Sequence, residues 1–238
     1  MRKYIIDSTQ KKNWKERGFT VIRNAFDNSL IQQCRIAIEK KYNLITPPHA
    51  DFGSINGEFE FPSNTIFDSI TLHPDIINAA SDLLETNDIL LTQSDAWSKL
   101  GSGSGSGRVD ESGRVDESGR VDESGNRDQR IHMDYGNHSF LHVADWDYPE
   151  VVACIIYLSD TSITGGGTAV VPKNPTTEKF YQMPYINMPG QHGYTFKNDK
   201  SSAEDYFLKN HPEVYEFRKK LYEHEIIIDA KPGDVLFY

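Results

Sequence analysis

A chain of 238 residues, 37% of them hydrophobic, has the length to bury one substantial core as a single domain or two small ones. It contains no apolar run long enough to span a bilayer, and the short run at Ile5 and Ile6 is too brief for a secretory leader. The net charge of −10, from 25 basic and 35 acidic side chains, argues against a phosphate-tracking surface for nucleic acid. Two cysteines, Cys34 and Cys154, cannot make a disulfide framework. Both fall in apolar patterns and read as small buried hydrophobes, for which a reducing cytoplasm is the simplest home.

Asp7 or Ser8 can cap a first helix, and Gly18 can stop it in a left-handed conformation. Phe19-Thr20-Val21-Ile22 is a short β-prone run. Asp27-Asn28-Ser29 then opens a second helix, with Leu30, Ile31, Cys34, Ala37 and Ile38 spaced along one buried face. Tyr42 to Pro62 reads as loop. Pro74 begins a third helix, with Ile76, Ile77, Ala80, Leu83 and Leu84 facing inward. From there strands dominate, over 89–93, 130–132, 151–158, 168–171, 225–229 and 234–238. One helix interrupts them at 212–223, with Val214, Phe217 and Leu221 on one face, and 176–205 reads as loop. Helices first, then many short strands, predict an α+β protein on a β-barrel or jelly-roll core.

Residues 101–125 break this pattern. Alternating Gly and Ser run to Gly107, and Arg-Val-Asp-Glu-Ser-Gly then occurs three times. Each repeat offers a core only one valine, so the stretch reads as a low-complexity, flexible and exposed loop inserted in a single 1–238 domain.

The chemically informative stretch is Arg130-Ile131-His132-Met133-Asp134. On a strand, residues two apart share a face, so His132 and Asp134 project side by side. An imidazole nitrogen and a carboxylate oxygen so placed are two thirds of the 2-His-1-carboxylate triad of non-haem iron sites. A His-x-Asp pair can equally be two residues that hydrogen-bond to each other.

In its order of motifs the chain resembles the phytanoyl-CoA dioxygenase family. The matching pieces are Gly18 to Ile22, Asn126 to Asp134, Val151 to Asp160, Thr164-Gly165-Gly166-Gly167-Thr168 continuing to Pro172, and Lys231-Pro232-Gly233-Asp234 continuing to Tyr238. The resemblance implies a double-stranded β-helix, jelly-roll and cupin-like, with flanking helices and with His132 and Asp134 as iron(II) ligands. It also implies 2-oxoglutarate as cosubstrate, and oxidative decarboxylation with O2 that drives hydroxylation of a small molecule. Related halogenases put a small residue where Asp134 stands, so the carboxylate favours hydroxylation. Gln93, Asp95 and Trp97, on one face if 89–97 is a strand, match the part of the family that lines the cosubstrate pocket. The alternative places Trp97 in the core and Asp95 at a strand end. Tyr157 could donate a hydrogen bond to 2-oxoglutarate, or serve as a core tyrosine.

The family pattern continues with a second histidine ligand and an arginine for the distal carboxylate of 2-oxoglutarate. The sequence stops at Tyr238, before either. The last core strands are therefore expected to be missing, iron binding by this chain to be weak and its turnover slight. The competing expectation is a catalytically incomplete relative serving as a binding or structural module. A third is a cupin-like site in which His138 or His142 joins His132, with zinc as an alternative metal. His49, His73, His192, His211 and His224 read as solvated or capping residues. Substrate identity and oligomeric state are not legible.

Overall fold

Asp7 starts the first helix by a reciprocal capping box. Its carboxylate accepts from the Gln10 backbone N–H, and the Gln10 side chain accepts from the Asp7 N–H, both at 2.8 Å. Helix α1 (Ser8–Arg17) then ends at Gly18, whose φ of 78° suits a residue without Cβ. These elements belong to a computed structural model that describes residues 6–42, 53–54, 59–98, 129–132, 148–164, 167–173 and 200–238.

Strand β1 (Thr20–Ile22) leads to α2 (Asn28–Tyr42), opened by Asp27, whose carboxylate accepts from the Ser29 N–H at 2.6 Å. Strand β2 (Gly53–Ser54) comes next, then helices α3 (Ile66–Thr71) and α4 (Pro74–Leu84) and strand β3 (Trp97–Ser98). Strand β4 (Cys154–Ile156), the short helix α5 (Thr161–Thr164) and strand β5 (Ala169–Val170) follow. Helices α6 (Lys200–Asn210) and α7 (Pro212–Tyr222) precede β6 (Ile226–Ile227) and β7 (Val235–Phe237).

The last strand is the central one. β7 pairs antiparallel with β1 on one side and with β4 on the other, Leu236 standing opposite both Val21 and Ile155. Side-chain alternation along these strands feeds two cores. Val235, Phe237, Ile22 and Ile156 pack toward the helices, with Trp14, Ile31, Cys34, Phe67, Ala79 and Leu83. Leu236, Val21, Ile155 and Tyr157 face the other way, against Phe19, Ile228, Ala230 and Val170. The antiparallel pair β5–β6 lies on that second side. Burying Leu236 there contributes roughly 2 kcal/mol.

The chain is thus a mixture of helices and small antiparallel sheets. Among the described residues the strands form three small antiparallel sheets, and no jelly roll is shown among them. No helix among them is long and apolar enough to cross a membrane. The repeat stretch 101–125 lies outside the described residues.

Several local expectations change. Residues 89–93 are not a strand; Leu90 is 87% exposed, and pairing begins only at Trp97. Part of the stretch read as loop, Gly53–Ser54, is the partner of that pair. In α4, Ile77 points outward and Ala79 is buried in its place. The stretch read as loop up to 205 becomes helical at Lys200. Cys34 is buried, whereas Cys154 keeps an exposed surface. Cys154 still lies deep among neighbouring atoms, and desolvation pushes both thiols up to about 11.

Candidate functional site

The stretch read as the metal strand makes no ladder over Arg130, Ile131 and His132; only Gln129 forms an isolated bridge. Both backbone groups of Ile131 are met instead by side chains of α7. Ile131 N–H donates to the Tyr222 hydroxyl at 2.9 Å, and Arg218 Nη1 donates to the Ile131 carbonyl at 3.2 Å. Arg218 and Tyr222 are four residues apart and so share one helical face.

That face is charged and buried. Arg218 is 0% exposed, a burial tolerable for a guanidinium only when its donors are met. Its Nε donates to Glu204 Oε1 at 2.6 Å and its Nη2 to the Tyr222 hydroxyl at 3.0 Å. Its guanidinium also lies 4.8 Å from the Phe207 ring centre. The Tyr222 hydroxyl donates in turn to Glu204 Oε1 at 3.2 Å, and Lys200 Nζ sits 3.9 Å above the Tyr222 ring. Burial pushes the Tyr222 phenol well above its ordinary value. Arg130, also buried, is drawn down to about 10, chiefly by desolvation and then by the neighbouring Arg218 charge. Glu204 Oε2 is buried without a hydrogen bond, as is Gln129 Nε2.

His132 is half-buried beside this cluster, and its Nδ1 lies 3.0 Å from the Arg130 carbonyl oxygen. A carbonyl only accepts, so Nδ1 carries the proton, and in the neutral ring Nε2 carries the lone pair. This is the state in which an imidazole binds a metal, with its other nitrogen anchored to a backbone oxygen. One donor of the implied iron site therefore fits. Asp134, its companion, lies outside the described residues, as do His138 and His142. Among the described residues no group of three His, Cys, Asp or Glu side chains is placed to hold a metal.

The other expected site residues fall in two places. Gln93 is exposed and its Nε2 donates to Asp95 Oδ2 at 3.1 Å. Asp95 is half-buried, and desolvation raises its pKa despite that bond. Tyr157 is buried on the Leu236 side of the sheet. Burial raises its phenol, with partial relief from the Thr168 side chain, but no hydrogen bond of normal geometry satisfies the hydroxyl. The remaining described histidines behave as ordinary helix-end or surface groups. His73 Nδ1 accepts from the Asp75 N–H at the start of α4, His211 precedes α7, and His224 is exposed.

Sequence reasoning missed Arg218, Tyr222 and Glu204. The one available clue was Arg218 itself, which occupies the buried stripe of α7 between Val214 and Leu221. No family model matches the chain, and no curated protein is similar enough to be matched. The resemblance described above rests on the residues quoted for it.

Proposed function

We propose that this chain carries the core of an iron(II)- and 2-oxoglutarate-dependent dioxygenase that hydroxylates a small molecule, on a double-stranded β-helix in which β1, β7 and β4 form one wall. The observation that carries this reading is the His132 bond to the Arg130 carbonyl, which leaves Nε2 in the metal-binding state. His132 and Asp134 hold the metal. Tyr157 offers its buried, unsatisfied hydroxyl to the cosubstrate from the Leu236 side of the sheet. Gln93 and Asp95, joined by their own hydrogen bond, are the further cosubstrate-binding side chains of this reading. Bound iron supplies oxygen activation coupled to decarboxylation of 2-oxoglutarate. The protein's part is to orient the ligands and to turn His132 Nδ1 toward the Arg130 carbonyl. Two free thiols fit a cytoplasmic setting.

The test is iron-dependent release of succinate from 2-oxoglutarate, measured on the chain alone and within its parent reading frame, alongside manganese(II) titration. His132→Ala and Asp134→Ala are each expected to weaken manganese binding beyond the roughly 10–100-fold that loss of an outer-shell partner costs. Succinate release in the parent frame should collapse with either change. Release indifferent to both substitutions overturns the reading. Metal binding without any release in the parent frame favours a binding module instead.

A further inference from the structure

The peptide unit joining Arg130 to Ile131 carries two hydrogen bonds that meet it from opposite sides. Its N–H donates to the Tyr222 hydroxyl at 2.9 Å, and its carbonyl oxygen lies 3.0 Å from His132 Nδ1. A trans peptide is planar, with N–H and C=O pointing in opposite directions, so neither group can be aimed without the other. Fixing the N–H fixes the carbonyl. The following unit is held as well, because Arg218 Nη1 donates to the Ile131 carbonyl at 3.2 Å. The Tyr222 hydroxyl has no freedom left: it accepts from Ile131 and Arg218 and donates to Glu204.

We propose that Tyr222, braced by Arg218 and Glu204, is a positioning residue that selects the tautomer of His132 through the Arg130–Ile131 peptide. The selection keeps the proton on Nδ1 and turns Nε2 into the binding nitrogen. Its meaning for a metal rests on the function proposed above. The arrangement replaces strand pairing, which normally orients such a stretch, by a clamp from α7 that lies some ninety residues further along the chain.

The experiment uses the full, uniformly nitrogen-15-labelled chain without metal. Long-range proton–nitrogen correlations of the imidazoles are recorded about two pH units above the ordinary histidine pKa of about 6.5, with His132→Gln identifying the His132 signals. The wild-type ring is expected as the Nδ1–H tautomer alone. Tyr222→Phe, which keeps the ring but not the hydroxyl, should give a mixture of both tautomers. Arg218→Lys should give a smaller admixture, and thermal unfolding of each variant is measured in parallel. Manganese(II) should broaden His132 in the wild type and need roughly tenfold more metal in Tyr222→Phe. A wild-type ring protonated on Nε2 overturns the proposal, and this spectrum decides even if Tyr222→Phe does not fold. So does an unmixed Nδ1–H ring in a folded Tyr222→Phe, whatever its stability. If the tautomer follows Tyr222 while manganese leaves His132 untouched, the positioning stands and the metal reading falls. If manganese binds His132 with a tautomer indifferent to Tyr222, the metal reading stands and the positioning falls.

Discussion

Asp234 shows how one side chain fixes the entry to the central strand. It is 1% exposed and accepts from Lys231 N–H at 2.9 Å, Asn24 N–H at 2.9 Å and Arg23 Nη1 at 2.6 Å. Burial by itself would raise its pKa, but these donors outweigh it and hold the carboxyl below the ordinary 3.8. Asp160, bonded first to Ser162 and then to Lys231, is drawn down to about 2. A carboxyl with a depressed folded-state pKa stabilises the fold fully above its unfolded value and loses that contribution as pH falls through the folded one. Stability should therefore decline from about pH 4 toward about pH 2, and urea unfolding at stepped pH reads this directly. Asp234→Asn should cost roughly 2–3 kcal/mol at neutral pH and flatten that acid decline. An unchanged acid profile would show that the network does not titrate with folding.

At the scale of elements, two glycines distinguish kinds of turn. Gly18 closes α1 at φ 78°, and an added Cβ would meet Lys173 Cβ at 3.5 Å and the Lys173 backbone nitrogen at 3.9 Å, both ordinary contacts. Gly233 has φ 90°, and a Cβ there would come within 3.3 Å of the Phe26 carbonyl oxygen, which belongs to backbone and cannot swing away. Gly18→Ala should cost roughly 1–2 kcal/mol, the ordinary strain of a left-handed residue. Gly233→Ala should cost more, because a steric shift is added to the same strain. Thermal unfolding ranks the pair, and equal losses would contradict the close approach at Gly233. Gly18 was readable as punctuation in the sequence, after a helical run, whereas Gly233 stood there only within the Lys231-Pro232-Gly233-Asp234 stretch. The packing that separates their costs was not readable. The approach to Phe26 is made by a residue more than two hundred positions away.

For the molecule as a whole, the ion pair between the buried Arg218 and the partly exposed Glu204 sets the relation between α6, α7 and the His132 segment. Removing one partner strands the other as an uncompensated charge, a loss of roughly 3–5 kcal/mol. Removing both need not cost more, since apolar side chains of similar size can fill the space beside Phe207 and Val214. Arg218→Met should thus be more destabilising alone than when combined with Glu204→Leu. A double-mutant cycle by urea unfolding measures the coupling, and simple additivity would mean that the two charges do not depend on each other.

The sequence by itself determined what is local. The capping box at Asp7, the stop at Gly18, the apolar stripe of α2 and the β-prone runs at Thr20, Ala169 and Val235 all depend on near neighbours. A period of two or of 3.6 records them. The same logic made His132 conspicuous. Only the tertiary structure decided that the last strand lies at the centre of its sheet, because strand order depends on which edges meet and not on the strands' own residues. It also decided that the His132 stretch is held by helix side chains rather than by a ladder. Arg218 stands on the buried stripe of its helix in the sequence, but its partners and those of Tyr222 appear only when folding brings the Ile131 backbone against them. Burial then forces each donor to find an acceptor.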